Sequence, residues 1–159
     1  MDIQEITSAE KAQYCLFIRK GLAEDQESFR ISPNDPQVFP TKDSVDSFTL
    51  GAYECNQIIG VVSFYRDGSD REKLRHKGWL VRMLVNSPHR GKGIGSALIL
   101  ALIGRVRTIE GIERINLTVM SPDARRLYEK LGFVCFAEEP EAVKFQGKYF
   151  TEYQMSMKL

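Results

Sequence analysis

The pattern of apolar residues predicts an α/β (α+β) domain: a mixed sheet with helices on both faces. Three observations carry this. Short runs of β-branched and aromatic residues, bounded by turn residues, recur along the chain, with helical patterns between them. Residues 97–103, Ala97 to Ile103, are apolar without a break, which suits a helix buried against a sheet. The succession of strand 79–85, helix 94–109 and strand 115–119 reads as a right-handed βαβ unit.

The elements follow in order. Ile3 to Ile6 alternates apolar and polar residues and reads as a strand. Thr7-Ser8-Ala9-Glu10 is a capping-box sequence that starts a helix at about residue 8. That helix runs to about Leu22 and is expected to turn Ala12, Leu16 and Phe17 inward. Residues 23–40 are polar and hold Pro33, Pro36 and Pro40, so a short helix near Asp25–Phe29 gives way to a loop. Phe48–Tyr53 and Ile58–Tyr65 form a hairpin around Glu54-Cys55-Asn56-Gln57. Residues 67–78 make a charged connection. Helix 94–109 turns basic at Arg105 and Arg107, as suits a helix C-terminus. Ser121 is a good N-cap for helix 122–131, Pro122 fits its first position and Gly132 suits the residue past its end. Ala124, Leu127 and Leu131 share one face of that helix. Strand 133–137 follows. A last strand near 149–157 completes the sheet or pairs across a homodimer, and completing the sheet is the simpler expectation.

Bulk properties bound the function. The chain has 159 residues with no repeat, low-complexity segment or linker, and is read as one domain, 1–159. Hydrophobic residues make up 43% and charged residues 27%, the balance of a soluble globular protein. The net charge of +1 and the lack of a long basic stripe argue against a nucleic-acid partner. No apolar run approaches the ~20 residues that span a membrane, and the N-terminus lacks the apolar core of a signal peptide. Cys15, Cys55 and Cys135 are scattered and odd in number. They suggest neither a disulfide framework nor a metal site, and point to a reducing, cytoplasmic compartment.

The most informative stretch is 79–96, Trp-Leu-Val-Arg-Met-Leu-Val-Asn-Ser-Pro-His-Arg-Gly-Lys-Gly-Ile-Gly-Ser. A strand runs into a glycine-rich turn, which opens a helix. The first N–H groups of a helix lack internal partners and the helix dipole favours an anion there, so the junction is a phosphate site made from main chain. A P-loop needs Gly-Lys-Ser/Thr after four intervening residues, but Lys92 precedes the second glycine. A dinucleotide fingerprint needs a third glycine where Ser96 stands and an acid near the end of the next strand, and strand 115–119 carries none.

The remaining pattern, Arg90-Gly91-Lys92-Gly93-Ile94-Gly95, resembles the Arg/Gln-x-x-Gly-x-Gly/Ala loop of the GNAT N-acetyltransferase superfamily. Downstream, Ala124-x-x-Leu127-Tyr128-Glu129-Lys130-Leu131-Gly132-Phe133 is similar to the second motif of that family, at the expected distance. The likeness is good over about 45–137 and thinner outside. It implies a mostly antiparallel, twisted sheet whose one parallel pair, 79–85 and 115–119, splays apart to admit a pantetheine arm. It further implies that acetyl-CoA is the cosubstrate, with no metal. Main-chain groups of Leu84 and Val85 would hold the pantetheine. Backbone N–H groups of Arg90, Gly91, Lys92, Gly93, Ile94, Gly95 and Ser96 would hold the pyrophosphate, with Arg90 and Lys92 adding charge.

By the same resemblance, Tyr128 acts on the departing thiolate. A thiol has a pKa of ~8.5 and a tyrosine ~10, so full proton transfer is uphill by about 2 kcal/mol in water. Tyr128 must therefore have a shifted pKa or act through a hydrogen bond. Ser121 stands where the family often has Asn; it can cap the helix and offer a hydroxyl to the cofactor. Family members often carry a glutamate on the strand before the glycine loop, and strand 79–85 has no carboxylate. Glu27, Glu54, Glu152 and His76 are the candidate bases, with none preferred. Phe29, Arg30, loop 67–78 and the segment 138–149 are candidates for the acceptor site. The implied activity is direct acetyl transfer to a primary amine of a small molecule or peptide. A rival of another class is a non-catalytic acyl-CoA-binding sensor, which replacing Tyr128 with Phe would separate from an enzyme.

Overall fold

The structure, a computed structural model, describes residues 1–35, 46–68 and 71–159. Pro36, Pro40 and Asp70, assigned above to loops, lie outside these. Among the described residues one sheet has the strand order β1-β2-β3-β4-β5-β7-β6. The strands are β1 (Asp2–Glu5), β2 (Ser47–Glu54), β3 (Gln57–Arg66), β4 (Lys77–Val85), β5 (Arg114–Val119), β6 (Val134–Phe145) and β7 (Lys148–Lys158). Helices α1 (Lys11–Glu24), α2 (Ile94–Val106) and α3 (Pro122–Lys130) flank it. The expected mixed, mostly antiparallel sheet is found.

Only β4 and β5 run parallel, and they pair for a short stretch, from Lys77↔Arg114 to Trp79↔Asn116. Beyond it, β4 keeps β3 as its neighbour and β5 keeps β7. The two strands part there and leave an opening between residues 80–85 and 117–119. Helix α2 connects them and packs on β2, β3 and β4, and its first residues, Ile94, Gly95 and Ser96, line that opening.

A bulge in β4 decides which way its side chains point. Val61 pairs with Leu84 and Ser63 with Val81, so Val62 faces both Arg82 and Met83. Arg82 takes the extra position with φ of 52°. In an unbroken strand Leu80 and Leu84 would share a face. Instead Leu80 enters the core under α2 and α3, and Leu84 enters the core under α1. The tight packing of α1 on Leu84 requires Gly21, where an added Cβ would stand 2.6 Å from both Leu84 methyls.

Two expectations need correction. Helix α1 buries Tyr14, Ile18, Gly21 and Leu22, while Ala12 and Leu16 face solvent. The i, i+4, i+8 stripe of Tyr14, Ile18 and Leu22 buries more apolar surface than the one built on Ala12 and Leu16. The capping box holds, with the Thr7 N–H donating to Glu10 Oε2 at 3.0 Å, but its first turn is a 3₁₀ turn, Ser8–Glu10. The second correction is β6, which continues past residue 137 to Phe145 and turns into β7 at Gln146-Gly147. Strand β7 lies between β5 and β6, so it completes its own sheet.

Candidate active site

The chain leaves β4 through a 3₁₀ turn at Ser87–His89 and enters the glycine loop. Arg90 does structural work there: its Nε donates to the Val85 carbonyl at 2.9 Å, and its Nη1 lies 3.7 Å from Asp25 Oδ2. Gly91 and Gly93 have φ of 74° and 80°, and nothing lies within 4 Å of where their Cβ atoms would be. Backbone conformation, not crowding, is what demands glycine. Gly93 is the N-cap of α2 and has no side chain to give. The first bond of the helix is from the Ala97 N–H to the Gly93 carbonyl at 3.0 Å. The N–H groups of Ile94, Gly95 and Ser96 therefore have no protein acceptor among the described residues. Helix α3 differs, since Ser121 Oγ accepts from the Ala124 N–H at 3.4 Å. One helix is closed by its own cap; the other is left open to an anion.

A cavity of about 1330 Å³ occupies the splay between β4 and β5. Of the residues singled out from sequence, Leu84, Val85, Arg90, Gly91, Gly93, Ile94, Gly95, Ser96, Ser121 and Tyr128 line it. Lys92 does not; it is exposed on the outer side of the loop. The fit to a phosphate-bearing cofactor with a long arm rests on two features of the chain. These are the uncapped N–H groups, and strand edges that lose their pairing where the cavity begins.

Tyr128 is buried on the inner face of α3, its ring edge-on to Phe133 at 5.5 Å between centroids. Its hydroxyl has no hydrogen-bond partner among the described residues. Burial pushes its pKa well above the ordinary tyrosine value, because the phenolate would be desolvated. The group is a hydrogen-bond donor at any working pH.

The candidate bases separate by position. Glu27 is exposed and lies 3.3 Å from Lys148 Nζ. Glu54 is exposed 2.9 Å from His89 Nε2, and its hydrogen bond to His89 lowers its pKa. His76 belongs to a separate small hollow with Lys77 and Arg114. Glu152 on β7 lines the main cavity, 3% exposed, with its Oε2 3.3 Å from Arg30 Nε. That oxygen has no hydrogen bond. Among the acceptor candidates, Phe29 and Arg30 line the cavity, and Glu139 does so from the segment 138–149. No described residue of loop 67–78 reaches it, although Tyr65 and Trp79 at its two ends do.

The acetyltransferase (GNAT) family profile matches residues 17–133, which is most of the chain. The chain belongs to the GNAT acetyltransferase family. Solved structures with the same fold include a GNAT-family acetyltransferase from Streptococcus pneumoniae. It is 22% identical with a TM-score of 0.87, and 99% of each chain is covered. A GCN5-related N-acetyltransferase from Kribbella flavida is 22% identical with a TM-score of 0.83, covering 99% of this chain and 97% of its own. A phosphinothricin acetyltransferase from Sinorhizobium meliloti, solved with acetyl-CoA, is 18% identical with a TM-score of 0.85, covering 99% and 88%. No relative among curated proteins matches.

Sequence reasoning about this GNAT chain missed Arg82. A lone arginine inside the apolar run Leu80-Val81-Arg82-Met83-Leu84 was the available signal. No group of His, Cys, Asp and Glu among the described residues could hold a metal ion. No helix among them is long and apolar enough to cross a membrane.

Proposed function

We propose that the protein transfers the acetyl group of acetyl-CoA directly to the primary amine of a small molecule or peptide. The observation that carries this is the open start of α2, facing the same cavity as Tyr128 and Glu152. The N–H groups of Ile94, Gly95 and Ser96 would take the pyrophosphate, with Arg90 steadying the loop through its bond to Val85. The main chain of Leu84 and Val85, paired to β3 on one side and without a strand partner on the side of β5, would take the pantetheine arm. Acetyl-CoA supplies an activated thioester; the chain supplies orientation and proton management.

Proton balance assigns the side chains. A primary amine is protonated near pH 7, with a pKa of ~10.4 for a lysine-like group, and arrives as ammonium. Forming the amide removes two protons from nitrogen, while the departing thiolate takes up one, so one proton is released overall. Glu152, a carboxylate on the cavity wall, receives the first. Tyr128 donates a hydrogen bond to the thiolate as the C–S bond breaks, in a buried setting that strengthens it. No enzyme nucleophile is needed, and the free Cys15, Cys55 and Cys135 stand outside the cavity lining. Free cysteines are consistent with a cytoplasmic location, which we propose as well.

Calorimetric titration with acetyl-CoA, beside CoA and ATP, tests the reading. Micromolar binding of both CoA species without ATP supports it. No binding of any CoA species overturns it.

A further inference from the structure

The inference here rests on the acetyl transfer proposed above and concerns what the acceptor amine carries. Strand alternation sorts the cavity wall. Leu80, Leu117, Tyr153 and Met155 pack into the core under α2 and α3. Trp79, Thr118, Glu152 and Gln154, their neighbours in sequence, therefore face the α1 side. Phe29 and Arg30, which follow α1, close that side.

Two charge imbalances lie within it. Glu139, exposed, and Glu152, buried, stand opposite each other on β6 and β7, and both line the cavity. Like charges directly opposite on neighbouring strands repel. Among the described residues Arg30 is the one cation paired with them, and it reaches Glu152 from an exposed position without a hydrogen bond to Oε2. One more positive charge would balance the pair. The second imbalance has the opposite sign. Arg82 lines the cavity, half-buried, with no carboxylate at ion-pair distance and no hydrogen-bond acceptor among the described residues. It lies close enough to Tyr14 and Tyr65, on the α1 side, for its charge to act on both. A guanidinium keeps its charge at any working pH, so a ligand that filled this cavity without bringing an anion would desolvate it unpaired, at a cost. The bulge holds it at φ of 52°, a conformation that residues with a Cβ seldom adopt.

A peptide N-terminus would bring the missing cation alone. A free amino acid brings both missing charges on adjacent carbons. We infer that the acceptor is a zwitterion of the amino-acid type, its amine against Glu152 and Glu139 and its carboxylate against Arg82.

Thiol release is measured with free amino acids and with their α-carboxamides, which keep size and amine but lose the anion. One or more free acids should show kcat/KM about 10- to 100-fold above the matching amide. Arg82→Gln should bring that ratio close to one, and Arg82→Lys should keep a preference for the acid. A ratio within one variant does not depend on how much of the preparation is folded. Amides as good as acids in the native protein, or an unchanged ratio in Arg82→Gln, would overturn the inference. The acetyl-CoA Kd on the same preparations separates the two readings. Binding of acetyl-CoA with no preferred acid overturns the zwitterion alone; absence of binding overturns the transferase reading beneath it.

Discussion

Replacing Tyr128 with Phe removes one oxygen from the cavity and leaves the packing of α3 in place. The ring is 5% exposed and contacts Phe133 edge-on, and a phenylalanine fills the same volume. The deleted hydroxyl has no protein partner among the described residues, so no donor or acceptor is orphaned. Burying an unpartnered hydroxyl costs about 1–3 kcal/mol on mutational scales, less where water reaches it from the cavity. The variant should therefore be as stable as the native protein or more stable by up to about 1 kcal/mol, a Tm change of 0 to about +4 °C at this size. The chemistry should behave differently. A donor placed on developing charge in a water-poor site contributes about 10²–10³ in rate. Steady-state kcat, the acetyl-CoA Kd and a thermal melt on the same sample make the test. The expected result is a loss of about 100-fold in kcat with Kd and Tm held. A kcat within about 3-fold of native would refute the role and favour a non-catalytic acyl-CoA-binding module. A Tm lower by several degrees would show instead that the hydroxyl holds structure.

Glu152→Gln should lower kcat by about 10²–10⁴ at neutral pH. The deficit should shrink as pH rises toward the pKa of the acceptor's own amine, because more acceptor then arrives neutral; a pH–rate profile of both proteins checks this. Gly93→Ala meets no atom within 4 Å but must adopt φ of 80°, at a cost of about 1–2 kcal/mol, read as a lower urea midpoint with a weaker acetyl-CoA Kd. Gly21→Ala drives a methyl against the buried Leu84, 2.6 Å from both of its methyl carbons, so that one of the two must shift. Overpacking of this kind costs about 1–3 kcal/mol, and a thermal melt should show it. Burial pushes Tyr14 up to about 12, with Arg82 opposing the shift. The folded state thus favours the neutral phenol, so this contribution is intact below about pH 10 and is lost as pH rises toward 12. Urea midpoints at pH 8, 10 and 11 should fall chiefly in the last interval.

What the sequence showed and what it hid follow from the range of the forces involved. Helix α3 was legible because its signals are local: Ser121 caps it, Pro122 starts it and Gly132 ends it within a dozen residues. The same holds for Gly91 and Gly93, whose dihedrals need no distant partner. Strand β6 continues past the expected end at residue 137 and runs through Pro140. The proline is accommodated because β6 is an edge strand, with its pairing to β7 irregular between Glu139 and Val143. The phase of α1 depended on Leu84, sixty residues away, which enters that core only because the bulge at Arg82 turns it there. Glu152 is an ordinary surface-type glutamate in sequence until β7 inserts between β5 and β6 and buries it beside Arg30. The main chain proposed to hold the cofactor was thus readable from turn chemistry. The acceptor side was not, because its charges come from β4, β6, β7 and the end of α1, and long-range pairing alone brings them to one wall. On that wall the local rules fail together: an arginine at positive φ, a buried carboxylate oxygen held by an ion pair with Arg30 but by no hydrogen bond, and two glutamates face to face. Three departures from ordinary packing on one cavity wall are better explained by a charged ligand that compensates them than by three separate accidents of the fold.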